Sequence, residues 1–447
     1  MYNDLGGNTS PNLRPGDLVR IIKGNQVIEG VLMPSTEFSR EGIVILKLSN
    51  GYNVGISIKD AYVEVVKEGY VKTYTEEGGG TSTYVKGSSD SLISIVSTGG
   101  TIVSRVEYET GAVKPALTAE DLIDFIPELK DLGSIEVIDL YRILSENMTP
   151  KHWSSIAEVV GKKILSDVDG VVVAHGTDTM SYTASALAFA LRNLPQPVVL
   201  VGSQRSSDRP SSDSALNLLA AVITSLNAPF GEVVVAMHGT ISDNYVLVHR
   251  GVKVRKIHSS RRDAFQSIND IPLAKVIFPD KRFIMINNRF LSRCRKDELI
   301  LMPKFEEKVS IVKAYPGIDP EIIDFLVDRR FKGIVIEGTG LGHINDSCIE
   351  SLRRAVEEGV VVVMTTQTIF GRVNMNVYTT GRKLLLSGVL PGSDMLTETA
   401  YVKLSWLLGN FNDLDSVKKL FTKNMVYEIN EVHEDYLYPR WYHGDQL

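Results

Sequence analysis

Val171-Val172-Val173-Ala174-His175-Gly176-Thr177-Asp178-Thr179-Met180 is the stretch on which the reading of this chain turns. Four small apolar residues predict a buried parallel strand, and Gly176 ends the run. Two hydroxyls then flank one carboxylate, and an Ala/Leu/Phe-rich segment of helical spacing follows from Met180 to Leu194. Open α/β sheets bind ligands outside the carboxyl ends of their strands, where polar residues open the next helix. Asp178 is expected in the first helical turn, where the helix dipole favours a carboxylate. The plainer alternative is that Thr177, Asp178 and Thr179 do no more than cap that helix.

Outward from this stretch, strands and helices alternate. Upstream stand the strands Leu92 to Val96 and Ile135 to Leu140 and the helices Ala119 to Phe125 and Lys151 to Leu165. Downstream come the strand Val198 to Gly202, the helix Ala215 to Ser225 and the strand Glu232 to Met237. A second His238-Gly239-Thr240 follows, with no helical period after it, and is read as a decoy. Past Val254-Arg255-Lys256 the pattern lapses until about Glu307. It resumes with strands at Val309 to Lys313, Gly333 to Glu337 and Val360 to Thr365, interleaved with helices. Such alternation predicts a mostly parallel, doubly wound α/β fold.

Ahead of this unit, apolar runs at Leu18 to Ile22, Val27 to Met33, Ile43 to Leu48 and Tyr52 to Ile58 predict a small SH3-like β-barrel. Gly78-Gly79-Gly80 among Ser and Thr residues has linker composition. The expected division is a barrel at 1–75, a linker at 76–90, a large catalytic domain at 91–300, a C-terminal α/β domain at 308–425 and a tail at 426–447.

A chain of 447 residues with 43% hydrophobic content has material for several cores. Its net charge of −6 argues against wrapping nucleic acid unaided, because phosphates call for a basic face. Two cysteines, Cys294 and Cys348, suit a reducing cytoplasm. The eight histidines lack metal-ligand spacing, so no metal centre is expected. No apolar run has the length of a membrane span or a signal peptide, which points to a cytoplasmic protein.

A second motif is Ile95-Val96-Ser97-Thr98-Gly99-Gly100-Thr101-Ile102. Paired glycines free backbone N–H groups to face a ligand, and a hydroxyl beside them is what a nucleophile next to an oxyanion hole requires. A plain Gly-Gly turn is the alternative. Together with the central stretch, this motif resembles the two signatures of the bacterial-type asparaginase family, in the same order and strand context. The likeness covers about Ser91 to Asn424 and implies that family's two α/β domains. With a barrel in front, and with Leu144-Ser145-Glu146-Asn147-Met148-Thr149-Pro150 and Lys256-Ile257-His258-Ser259-Ser260-Arg261-Arg262-Asp263 within, the chain resembles the D-type subunits of archaeal-type glutamyl-tRNA(Gln) amidotransferases.

That resemblance implies an amidohydrolase releasing ammonia from glutamine or asparagine. Its nucleophile falls on Thr101, with Thr98 as the competing choice, and a second catalytic set falls on Thr177, Asp178 and Lys256. A threonine hydroxyl is a weak nucleophile near neutral pH and must hand on its proton. A lysine suits that task because its pKa moves readily on desolvation. Lys256 stands among Lys253, Arg255 and Arg261, however, and alone reads equally as part of a solvated basic run. Gly100, Ser145 and Glu146 fall on the family's substrate contacts. Glu146 has helix capping as its alternative. The family's loop tyrosine has only Tyr108 as a counterpart, at an unusual offset, with Thr110 or a partner-supplied group as substitutes. The resemblance further implies no cofactor in this chain. ATP and Mg2+ belong to the E-type amidotransferase partner, which also carries most of the tRNA contact, in a heterotetramer built on a homodimer core. The aromatic tail with Tyr436, Tyr438, Trp441 and Tyr442 and the barrel are the expected docking surfaces. The nearer alternative is a free-standing L-asparaginase or glutaminase. A non-catalytic shell is the more distant one.

Overall fold

The computed structural model describes residues 13–34, 42–49, 52–69, 81–99, 104–106, 113–115, 118–207, 209, 211–434 and 437–438. Three main sheets organise them. The first is antiparallel, in the order Asn53–Ser57, Ile43–Lys47, Gln26–Leu32, Leu18–Lys23, Tyr62–Lys67. Alternation along its strands turns Val19, Ile21, Leu32, Val44, Leu46 and Ile56 into one small core. The expected β domain is there, with Tyr62–Lys67 as a strand the sequence reading had not separated.

The second sheet has nine strands. Its centre is parallel, in the order Val233–His238, Val198–Val201, Gly170–Ala174, Leu92–Gly99, Ser134–Ile143. These strands are continuous apolar runs because both faces are covered. Ile93, Ile95, Val172, Val199 and Val201 pack on one side with Leu122, Leu218 and Val222 from the helices there. Val96, Val171, Val173 and Leu200 pack on the other, with Ile156 and Leu187. The third sheet is parallel, in the order Val309–Lys313, Gly333–Gly338, Val361–Thr366, Leu390–Pro391. Trp406 and Leu404 of the helix Thr397–Asn410 join its core to that of the large sheet.

Four expectations need correction. The large sheet is mixed, because Tyr245–Arg250, Ala274–Ile277 and Arg282–Met285 extend one edge antiparallel. The last two occupy sequence read as irregular, and Tyr245–Arg250 follows the second His-Gly-Thr, where no strand was assigned. Thr81–Val85, inside the expected linker, pairs antiparallel with Ser134–Ile143 at the other edge. The helix Thr379–Leu386 was not foreseen. The segment set apart as a tail at 426–447 is built into the fold as far as residue 434. Val426 and Glu428 are buried, and the Glu428 carboxylate accepts from the backbone N–H of Met425 and Val426 and pairs with the buried Lys403. Tyr438 is exposed and meets Phe370 edge-on with ring centroids 5.7 Å apart. Tyr436, Trp441 and Tyr442 lie outside the described residues.

Candidate active site

Parallel register brings the carboxyl ends of the central strands level. Ser97 pairs with Asp139 on one side and Ala174 on the other, and Ala174 pairs with Val201. The polar residues that follow these pairs therefore converge at one end of the sheet, as open α/β sheets dictate.

Gly99 closes the strand Leu92–Gly99 with φ +108°, and an added Cβ would stand 2.1 Å from the Ile143 carbonyl oxygen. Only glycine fits both the backbone angle and this approach. Thr98 is 1% exposed, and its hydroxyl donates to the Ala174 carbonyl at 3.0 Å. Gly100, Thr101, Tyr108 and Thr110 lie outside the described residues.

Across the sheet, Gly176 approaches Ser145 so closely that a Cβ would meet the serine Cβ at 2.7 Å and its Oγ at 2.8 Å. Thr179 Oγ1 donates to the Ser145 carbonyl at 2.7 Å. Together these fasten the buried Ser145 to the central motif. Glu146 beside it is exposed. Glu146 caps no helix here, since Thr149 and His152 form the box at the start of Pro150–Leu165. The His152 ring accepts there from the Thr149 backbone N–H at 3.0 Å.

Lys256 ends the short strand Val254–Lys256, and its Nζ donates to Thr177 Oγ1 at 3.0 Å and to Asp178 Oδ1 at 2.7 Å. Capping by Thr177, Asp178 and Thr179 is therefore not what the molecule does. The helix Met180–Ala190 has no side-chain cap at Thr179. The reading of a solvated basic run fails as well. Lys253 is fully buried against Asp394, Arg255 pairs with Glu398, Arg261 with Asp263 and Arg262 with Asp243. Lys256 keeps only 13% side-chain exposure whereas Asp178 keeps 67%, so the pair adds at most about 1 kcal/mol to stability. Its value lies in chemistry. A lysine placed between a hydroxyl and a carboxylate can accept a proton as the neutral amine, hold it as the ammonium and return it.

His175, inside the motif but outside the expected site, has a supporting role that sequence did not reveal. Trp153 Nε1–H donates to Thr183 Oγ1 at 3.1 Å, and the Thr183 hydroxyl lies 2.8 Å from His175 Nε2. His175 Nδ1 lies 2.6 Å from the Gly176 carbonyl. One neutral tautomer, with the proton on Nδ1, satisfies every member of this chain. Burial agrees, pulling the imidazole down to about 4. The only cue was Thr183, eight residues further along the sequence.

His238 is buried, with Nδ1 2.6 Å from Asn217 Oδ1 and Nε2 3.2 Å from Asp243. Asn217 donates to Asp213, which accepts the backbone N–H groups of Gln204 and Arg205. Both ring nitrogens are thus engaged in holding loops. Among the described residues no group of three or more His, Cys, Asp or Glu could hold a metal. No described helix is long and apolar enough to cross a membrane.

Comparison with known proteins fits this arrangement. The family model described as "Asparaginase, N-terminal" matches residues 92–289, "Glutaminase/Asparaginase C-terminal domain" matches 308–421, and "GatD N-terminal domain" matches 13–66. Solved relatives include the thermostable L-asparaginase from Thermococcus kodakarensis, at 32% identity and TM-score 0.68, covering 76% of this chain and 100% of that one. L-asparaginase I from Vibrio cholerae follows at 30% and 0.66, with coverage of 76% and 100%. The glutamyl-tRNA(Gln) amidotransferase D subunit of Saccharolobus solfataricus is 54% identical over 96% of both chains. That of Sulfolobus acidocaldarius is 50% identical over 97% of this chain and 95% of its own length. A chain with a small antiparallel β domain ahead of asparaginase-like domains, related over nearly its whole length to these proteins, belongs to the D-subunit family of glutamyl-tRNA(Gln) amidotransferases.

Proposed function

We propose that the chain is the amidohydrolase subunit of a glutamyl-tRNA(Gln) amidotransferase, freeing ammonia from glutamine for a partner that amidates glutamyl-tRNA(Gln). The observation that carries the chemistry is Lys256 Nζ held between Thr177 and Asp178 at the carboxyl end of the large sheet.

Thr101 attacks the side-chain carboxamide. Its hydroxyl proton passes toward Lys256, and the departing nitrogen takes a proton to leave as ammonia. Backbone N–H groups near Gly100 and Thr177 receive the oxyanion. Water, positioned at Thr177, then clears the acyl-enzyme. Thr98 is the weaker nucleophile candidate because its buried hydroxyl is already committed to Ala174. Ser145 positions the amino-acid backbone, and the exposed Glu146 carboxylate accepts from the α-ammonium. Tyr108 is the proposed counterpart of the family's loop tyrosine, with Thr110 or a partner-supplied group as the alternative.

The basic residues of the Lys256 hairpin being paired with carboxylates supports leaving tRNA to the E-type partner, together with ATP and Mg2+. A homodimer core within a heterotetramer, working in the cytoplasm, completes the proposal. A second reading, a free-standing asparaginase or glutaminase, is favoured by the full coverage of the two L-asparaginases. A steady-state ammonia assay separates the two. Turnover by the purified chain should be low alone and rise with partner and glutamylated tRNA. High and unchanged turnover without them would leave the free-standing enzyme. Thr101→Ala should abolish ammonia release in either case.

A further inference from the structure

The strand that presents Lys256 is held from outside its own domain. Three grips act on residues just ahead of the lysine. Thr399 Oγ1 donates to the Val252 carbonyl at 2.9 Å. Lys253 Nζ donates to Asp394 Oδ2 at 2.7 Å. Arg255 Nε lies 3.1 Å from Glu398 Oε1. All three partners come from one short stretch, residues 394–399, at the start of the helix Thr397–Asn410 beside the third sheet.

Consecutive strand residues point to opposite faces. Arg255 therefore reaches the C-terminal domain while Lys256 reaches Thr177 and Asp178 on the other side. Asp394 is itself braced. Asn430 donates to both of its oxygens, at 2.9 and 2.8 Å, and Asn269 donates to its carbonyl at 3.2 Å. Downstream of Lys256 the hairpin is tied to the large domain by Arg262, which pairs with Asp243. Glu398 Oε2 is buried with no hydrogen-bond partner among the described residues, so the Arg255 contact is what fixes this carboxylate.

We infer that Asp394, Glu398 and Thr399 are positioning residues for Lys256, so that the C-terminal domain sets the placement of the proton-carrying amine in the large domain. The inference rests on the reading of Lys256 as proton carrier. A displaced strand leaves every group of the site in the chain but moves Nζ away from Thr177, which weakens the chemical step and not substrate capture.

The test uses the full-length chain, assayed for glutamine hydrolysis well below its melting temperature. Thr399→Val is nearly isosteric, and Glu398→Gln removes the ion pair. Each should lower kcat about tenfold and leave KM within about twofold. Arg255→Met should do the same and Arg255→Lys should recover much of the loss. These two changes, at a side chain 29% exposed, keep the test alive should Thr399→Val not fold. Leu352→Val, in the core of the C-terminal domain, should lower stability without touching kcat. In a Lys256→Met background the Glu398 and Thr399 changes should cost nothing further, because they act through the missing amine. Unchanged kcat in the grip variants beside a strong Lys256→Met defect overturns the inference alone, as do multiplicative losses in the Lys256→Met background. Full turnover by Lys256→Met overturns the reading of the site and the inference with it.

Discussion

Replacing Gly176 by alanine tests the coupling between the central motif and Ser145. The new Cβ would stand 2.7 Å from Ser145 Cβ and 2.8 Å from its Oγ, where ordinary contact begins at 3.4 Å. One side must yield by about 0.6–0.7 Å, a misfit of the kind that costs about 1–3 kcal/mol in a packed interior. Ser145 cannot retreat freely, because its carbonyl accepts from Thr179 at 2.7 Å. Displacing a substrate-positioning group by about 1 Å costs on the order of 10²-fold in rate. Gly176→Ala should thus lose about 10²-fold in kcat/KM for glutamine and melt a few °C lower, at about 2–4 °C per kcal/mol for a domain of this size. Adding Ser145→Gly removes both clashing atoms. The double variant should regain the melting temperature and keep a raised KM, since the serine itself is gone. Calorimetry and a steady-state ammonia assay on the three proteins decide the matter. Wild-type melting and kcat/KM in Gly176→Ala would refute the argument, and so would a double variant no more stable than Gly176→Ala.

Asp178→Asn and Lys256→Met should each lower kcat by about 10²–10⁴-fold, the usual size of a lost acid–base contribution. Their double variant should be little worse than either, and multiplicative losses would show that the two do not act as a unit. Acid should destabilise the fold through His175 and His249, which burial pulls down to about 4 and about 3. Unfolded imidazoles take up protons from about pH 6.5, so their contribution is complete above that pH and fades as pH falls toward the folded values. The two together remove about 4 kcal/mol between pH 7 and pH 5. Urea titrations at pH 7, 6 and 5 measure this, and equal stability at all three would contradict it. Lys403→Met strands the fully buried Glu428 carboxylate and should cost about 3–5 kcal/mol in the same titrations, with Glu428→Gln recovering much of it. A loss below about 1 kcal/mol would mean that the backbone N–H groups of Met425 and Val426 suffice to hold the charge.

The parallel centre of the large sheet was legible because strands buried on both faces, such as Gly170–Ala174, are uninterrupted apolar runs. Its edges were not. Tyr245–Arg250 ends in the polar His249 and Arg250, which break an apolar strand pattern. In the fold Arg250 is buried between Glu232 and Asp270, and no local pattern announces partners 18 and 20 residues away. Thr81–Val85 was hidden by Ser/Thr content beside a glycine run, a composition that an edge strand paired on one side tolerates. Thr177 and Asp178 stood out at a strand end, but Lys256 is 78 residues beyond Asp178 and emerged only through family resemblance. Its paired basic neighbours show why charge runs mislead, since Asp394, Glu398 and Asp243, from separate parts of the chain, pair with Lys253, Arg255 and Arg262.

The docked segment makes the domain junction depend on residues remote in sequence from the motif. Synthesis runs from the N-terminus, so the motif, Ser145 and Lys256 all emerge long before Asn430, the residue that braces Asp394 on both carboxylate oxygens. A nascent or clipped chain that ends ahead of Asn430 can carry every reactive group while lacking the last fastening of the domain junction. Asn430 therefore belongs to the junction as fully as Asp394 does, although it lies far from Lys256 in the sequence.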